Sequence, residues 1–415
     1  MNKFVLALIF SFFTLSVFSQ QNSVFQSDLT SLYNALKETP SYKEQITGQK
    51  KKEYDLLYEK LKTGKIKPSR FDSLYKLSEL LWPIRDNHLA LYERPDPDFK
   101  SSMLNDSVLV RKFRESSRFK SYPLPLTNVD KLEHKLAGKP LGSIEGIYYQ
   151  GEFKIGIYAD KKEKRFKGVI LASKSPIWKK GEMVLFLTAL QNGRYRGVYA
   201  NLYNKDLLFI KNEKLTDGRL FYLGSKKESP PLLGHINYNK PLMELKTIDS
   251  NIQYLRLGNF RTSTDAMALS QQFYTKIKDS LTAKNLIVDI RNNPGGGFKS
   301  SAKFLSLLKR YSSRGKIYVL VNSRTVSNAE QFSIRLKGYT DVVTFGETTM
   351  GMITYGSNYG KTVSLPSGKY DFYPTDMTDA GNFLTYEESG YQPDVKLDQK
   401  SDWIEQLIQR INQNK

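Results

Sequence analysis

The sequence predicts an α/β domain at its C-terminal end, preceded by an N-terminal helical bundle and an inserted antiparallel β module. Three patterns lead there. From Ile248 onward short apolar runs alternate with amphipathic stretches, as in IQYLRLGNF, ALSQQFYTKIKDSLTA and NLIVDI, the rhythm of parallel strands with helices outside. Residues 140–245 alternate apolar and polar side chains between Gly, Asn and Lys turns, the mark of antiparallel strands. Between Ser27 and Leu81 apolar residues recur every three or four positions, which predicts amphipathic helices.

In chain order, residues 1–19, MNKFVLALIFSFFTLSVFS, carry one lysine and then an apolar core too short for a membrane span, so they read as a secretory signal peptide. Residues 20–95 hold three helices, with Gly64 and Pro83 as stops, and end in IRDNHLALYERPDPDF, a short strand among charges and prolines. Residues 96–139 read as a linker and 140–245 as the β module. The α/β domain fills 246–415: strands at 252–260, 285–290, 316–322 and 341–346 alternate with helices at 268–283, 299–311 and Ala329–Lys337, and a last helix covers 401–414.

A chain of 415 residues is long enough for two or three domains. It has no cysteine, which excludes a lipid-anchored N-terminal cysteine and any disulfide framework. The expected product is exported, periplasmic or secreted, and held together by its core. The net charge of +21, from 63 basic and 42 acidic residues, fits either a well-solvated surface or contact with an anionic envelope surface. No helix-turn-helix, zinc-finger or aromatic RNA-binding pattern is present, so no nucleic-acid partner is expected.

The chemistry concentrates in two runs, NLIVDIRNNPGGGF at 285–298 and VLVNSRTVSNAEQF at 319–332. Each is an apolar strand that breaks into a polar turn before a helix. Glycines 295–297 allow close backbone approach, and Ser327 sits at a strand-to-helix corner, where the helix amides offer positive charge to a developing anion. Ser327 also suits a plain N-cap. Gly295, Gly296 and the amide of Asn328 are the candidate oxyanion donors. Glu330, three residues after Ser327, has capping-box spacing and reads as structural; Asp289 and Arg291 read as scaffold charges.

Taken in order, DIRNNPGG, SNAE, GETTMG and EESGYQPDV resemble the catalytic domain of the S41 serine peptidases, which include tail-specific and C-terminal processing proteases, the tricorn core and retinoid-binding proteins. The resemblance runs from about Ile248 to the C-terminus, with one further match near His88. It implies a ClpP/crotonase-like fold for the catalytic domain and Ser327 as nucleophile. In the lysine-dependent branch the base lies where this chain has Met352, and a thioether takes no proton. The other branch uses a histidine ahead of the inserted module, and Arg85-Asp86-Asn87-His88 matches that context. His88 is therefore the candidate base, with Asn87 beside it as a supporting group, Glu387 as the acid that orients the imidazole, and Glu347 fixing the turn that faces the nucleophile. The glycine-rich carboxylate-binding loop of a PDZ module is not recognisable in 140–245.

The function expected is hydrolysis of peptide or protein substrates by an exported serine peptidase that needs no cofactor and no metal. A second reading keeps the scaffold and drops the chemistry, giving a binding protein for peptides or hydrophobic ligands.

Overall fold

The computed structural model describes residues 23–413, apart from 65–68, 117, 121, 126–127, 192, 238, 357 and 359. The signal-peptide reading of residues 1–19 lies outside the described residues. No helix among them is long and apolar enough to cross a membrane. The chain divides into two compact units, one of Met1–Ile84, Leu89–Ser229 and Ser357–Asp376, the other of Arg85–His88, Pro230–Gly356 and Met377–Lys415.

The first unit opens with helices at 23–38, Pro40–Gln45, Gly48–Thr63 and Arg70–Ser78. Thr39 and Ser69 cap two of them, their hydroxyls accepting the N–H groups of Tyr42 (3.2 Å) and Asp72 (3.0 Å). These helices do not form a self-contained bundle. Their apolar stripes, among them Leu29, Leu36, Phe71 and Leu74, join Ile155, Val184 and Phe186 of the β strands in one core; helices this short bury more apolar surface against a sheet than against each other.

That sheet is antiparallel throughout, in the order Val363–Ser364, Tyr370–Tyr373, Ala90–Glu93, Leu207–Lys214, Arg194–Ala200, Met183–Ala189, Arg165–Ala172, Phe153–Asp160, Gly146–Gln150, Gly224–Ser225 and Arg219–Leu220. It extends beyond the stretch 140–245, since Ala90–Glu93 joins it and pairs with Tyr370–Tyr373 from far along the chain. Buried Glu93 anchors the joining strand by accepting from Arg70 (2.8 and 2.5 Å) and Arg118 (3.0 Å). The stretch 96–139, read as a linker, contains helices Ser107–Glu115 and Val129–Leu136, capped by Asp106 and Asn128 and sealed by buried Phe113, Leu132 and Leu136.

The second unit is built on a smaller mixed sheet in the order Met243–Thr247, Ile252–Leu257, Asn285–Asp289, Lys316–Val321, Val342–Gly346 and Val395–Lys396. The first pair is antiparallel and the rest are parallel. Helices Thr264–Ile277, Phe298–Tyr311 and Asn328–Lys337 connect the parallel strands. The interior strands are largely buried and mostly apolar, as strands covered on both faces are. Because Asp289 sits beside Leu320 in register, the turns that leave these two neighbouring strands emerge side by side, the arrangement that places sites at the carboxyl ends of parallel strands.

Two buried features fix those strand ends. Arg291 donates to both oxygens of Asp289 (2.9 and 2.7 Å), and Tyr254 adds its hydroxyl (2.9 Å). Trp403, on the last helix Trp403–Gln413, is fully buried among Tyr254, Ile287, Tyr318 and Phe345, and its indole N–H donates to Asp398 O (2.7 Å). Trp403→Ala is expected to lower the unfolding free energy by about 3–5 kcal/mol in urea titrations; a loss under about 1 kcal/mol would show that the helix is not part of this core.

Candidate active site

Ser327 is held in an unusual conformation, φ 56° and ψ −124°, which a non-glycine residue adopts at a cost of about 1–3 kcal/mol. The strand Lys316–Val321 ends in a turn closed by Asn322 and Thr325, through Asn322 N–H to Thr325 Oγ1 (3.0 Å) and Thr325 N–H to Asn322 O (2.9 Å). The chain must then reverse within two residues to start the helix. Two acceptors hold the Ser327 N–H in that reversal, Met352 O (2.9 Å) and Glu330 Oε2 (2.9 Å).

The structure brings His88 to this serine across 239 positions of sequence, with Nε2 3.1 Å from Ser327 Oγ. The other ring nitrogen, Nδ1, lies 2.9 Å from Thr354 O. A carbonyl only accepts, so Nδ1 carries the proton and Nε2 turns its lone pair to the hydroxyl. Burial lowers the imidazole pKa from its ordinary value, against the opposing pull of Asp86 and the Thr354 carbonyl. Asp86 also fixes the backbone here, its Oδ1 accepting His88 N–H (3.0 Å). The resting histidine is thus neutral and oriented as an acceptor.

Glu387 is fully buried, but its place differs from the expectation, because among the described residues it does not touch the imidazole. Its Oε1 accepts Asn87 N–H (2.6 Å), and its Oε2 accepts the N–H groups of Ile353 (2.8 Å) and Thr354 (3.0 Å). It thus holds, through the Thr354 N–H, the residue whose carbonyl receives Nδ1–H. Burial raises its pKa to about 8, with the backbone N–H groups opposing and Asp86 adding to the rise. The Asn87 side chain donates to Gly351 O (2.7 Å) and not to the histidine.

Glu330 does more than cap. It is fully buried, and besides Ser327 N–H it accepts from Thr349 Oγ1 (2.5 Å), Gly351 N–H (2.8 Å) and Met352 N–H (3.2 Å). Burial raises its pKa to about 7 against these bonds. Its Ser-x-x-Glu spacing showed the cap, but nothing local in the sequence marked the further partners, nor Thr354 O as the histidine's acceptor. Glu347, expected to fix the turn that faces the nucleophile, accepts Ser323 N–H (3.0 Å) and lies 3.5 Å from His235 Nε2, at the turn leading into Ser327.

The three candidate oxyanion donors separate. Gly295 N–H is taken by Asn293 Oδ1 (2.9 Å), so it is not an open donor. Gly295 matters as a point of contact: at φ 87°, an added Cβ would lie 2.7 Å from Val326 O and 2.9 Å from Ser327 Cβ. Gly296 (φ 133°) is locked by its neighbours, with Phe260 N–H donating to Gly295 O and Gly297 N–H to Phe260 O, both 2.9 Å. The N–H groups of Gly296 and Asn328 donate to no acceptor among the described residues.

Residues 251–313 and 307–397 match the model of peptidase family S41. No curated protein matches the chain. Solved structures it is similar to include the tricorn protease (14% identity, 95% of this chain and 37% of that one, TM-score 0.42). They also include the photosystem II D1 C-terminal processing protease (16% identity, 91% and 94%, TM-score 0.37) and mature CPAF complexed with lactacystin (12% identity, 94% and 97%, TM-score 0.41).

Gly295→Ala is expected to destabilise the fold by about 1–3 kcal/mol in denaturant unfolding, since it meets both a positive φ and a backbone oxygen. The ring protons of His88, followed by NMR, are expected to titrate below the ordinary 6.5; a midpoint at or above that value would contradict the buried, neutral imidazole.

Proposed function

Residues 251–397 belong to peptidase family S41, which makes the chain a serine-type peptidase, and from that premise we propose that Ser327 is its nucleophile and His88 its general base. The observation that carries the proposal is the 3.1 Å approach of His88 Nε2 to Ser327 Oγ. Ser327 Oγ attacks the carbonyl carbon of a substrate peptide bond as Nε2 takes the hydroxyl proton. The oxygen of the tetrahedral intermediate gains negative charge and is received by the N–H groups of Gly296 and Asn328. The imidazolium then returns its proton to the leaving amine nitrogen, the C–N bond breaks, and an acyl-serine remains. Water, deprotonated by the same Nε2, attacks that ester and restores the serine. Asn87 and Glu387 act here as positioning residues.

The imidazolium formed in the first step is stabilised by the Thr354 carbonyl at Nδ1–H and by the nearby Asp86. The same surroundings keep the resting ring neutral, because burial lowers its pKa. The free base is therefore present at neutral pH, and activity falls as pH drops through the lowered imidazole value. Stability follows the same sign: a group whose folded pKa lies below its unfolded one contributes above the unfolded value, and that contribution is lost as the solution is acidified through the folded value.

Ser327→Ala should lower kcat/KM on a peptide substrate by about 10⁴-fold or more and abolish labelling by a fluorophosphonate probe, with thermal unfolding little changed. His88→Ala should cost about 10²- to 10⁴-fold, and in the unmodified enzyme the acid limb of kcat/KM should lie below pH 6.5. Cleavage by the Ser327→Ala chain at the unmodified rate would refute the assignment, and a fluorophosphonate adduct at Ser327 would exclude a purely binding role.

A further inference from the structure

The ladder between the strands Asn285–Asp289 and Lys316–Val321 ends with Ile290 N–H donating to Leu320 O (2.9 Å). Beyond it the two chains part into the turns that carry Gly296 and Ser327, and two asparagine side chains take over the pairing. Asn322 Oδ1 accepts Asn292 N–H (2.9 Å), and Asn322 Nδ2 donates to Asn292 Oδ1 (2.6 Å). The same Oδ1 receives Arg324 N–H (3.1 Å), so one amide serves both turns. The main chains meet again at Val326 N–H, which donates to Asn293 O (3.0 Å).

Asn292 has φ 56°, in the left-handed region that asparagine tolerates better than most residues. The pair is also fastened to a third segment: Asn292 Nδ2 donates to Ile236 O (3.2 Å), and Asn322 Nδ2 to Gly234 O (3.0 Å). That segment is itself fixed, since Gly234 N–H donates to Gln399 Oε1 (3.0 Å) and a Cβ at Gly234 would overlap the Trp403 ring. Asn322 is fully buried. Every polar atom of the two amides thus has a partner within one closed set of bonds, and a satisfied buried network of this kind rigidifies what it joins.

The spans from this pair to the reacting atoms are short. Gly296 follows Asn292 by four positions, and Ser327 follows Asn322 by five. The first span contains Pro294, whose ring fixes φ, and the second is closed by the bonds between Asn322 and Thr325. A shift of one turn against the other therefore passes to Gly296 N–H and Ser327 Oγ, and a hydrogen bond to an oxyanion depends closely on distance and angle. We infer that Asn292, through its reciprocal bonds with Asn322, is a positioning residue that sets Gly296 N–H against Ser327 Oγ and thereby governs stabilisation of the tetrahedral oxyanion. The inference rests on Ser327 as nucleophile and Gly296 as oxyanion donor.

Asn292→Gly removes the side chain while permitting the positive φ, and Asn292→Asp keeps an acceptor for Asn322 Nδ2. On a peptide substrate Asn292→Gly should lower kcat about 10²-fold and leave KM and the acid limb of kcat/KM where they are. A peptide aldehyde bonds its carbonyl carbon to Ser327 Oγ as the hydroxyl proton passes to His88 Nε2, and its oxygen then stands where the oxyanion would. Inhibition by it should weaken by the same factor as kcat. Asn292→Asp should regain about tenfold of both losses, with thermal unfolding showing both variants folded. In the Ser327→Ala chain Asn292→Gly should leave peptide affinity unchanged. A kcat within about threefold of the unsubstituted value, a change confined to KM, or undiminished aldehyde inhibition overturns the inference while the hydrolytic reading stands. An unsubstituted chain that neither cleaves peptide nor binds the aldehyde would end both.

Discussion

The candidate site depends on one short loop, residues 349–354, strung between two buried carboxylates. Glu330 takes Thr349 Oγ1 and the N–H groups of Gly351 and Met352, and Glu387 takes those of Ile353 and Thr354. Each carboxylate also holds a residue outside the loop, Ser327 and Asn87 respectively. Burying an ionised carboxylate costs several kcal/mol, and hydrogen bonds to a charged group return about 1.5–3 kcal/mol each. The pKa values, raised to about 7 and about 8, show that the compensation is incomplete.

That loop gives Ser327 and His88 a common reference. Its Met352 carbonyl receives Ser327 N–H and so helps to keep the serine in its strained conformation; its Thr354 carbonyl receives His88 Nδ1–H and so sets which ring nitrogen faces the hydroxyl. Two side chains 239 positions apart meet within hydrogen-bond distance because both are located against the same few peptide units. A displacement of the loop would disturb the hydroxyl and the imidazole together, which is why packing beneath the site bears on reactivity.

Periodicity and motif order pointed to the four central strands of the smaller sheet, but not to its edge strands Met243–Thr247 and Val395–Lys396. Strands such as LIVDI and YVLVN announce themselves by composition, and Ser327 by its corner before a helix. His88 was reachable because the chain has only three histidines and this one alone sits in a matching context. The true relation of Glu387 to the ring was not legible, since the acceptor between them is a main-chain carbonyl and every residue has one. The loss of Gly295 as a donor was not legible either, since only the folded turn brings the Asn293 side chain to its amide. In the first unit the pairing of Ala90–Glu93 with Tyr370–Tyr373 joins segments far apart in sequence, and a four-residue strand carries no signal for its partner.

Position 352 serves the loop through its main chain. What the loop takes from this residue is its N–H, given to Glu330, and its carbonyl, given to Ser327. Both belong to the main chain, so the side chain is free to change while the serine stays in place. The base we propose comes from Arg85–His88, which belongs to the same compact unit as Ser327 although it precedes the large sheet in sequence. An ammonium beside Ser327 would also oppose the imidazolium formed when His88 takes the serine proton, since like charges in a poorly solvated site raise each other's cost. Under the proposed mechanism an uncharged residue at 352 is compatible with an imidazolium at 88.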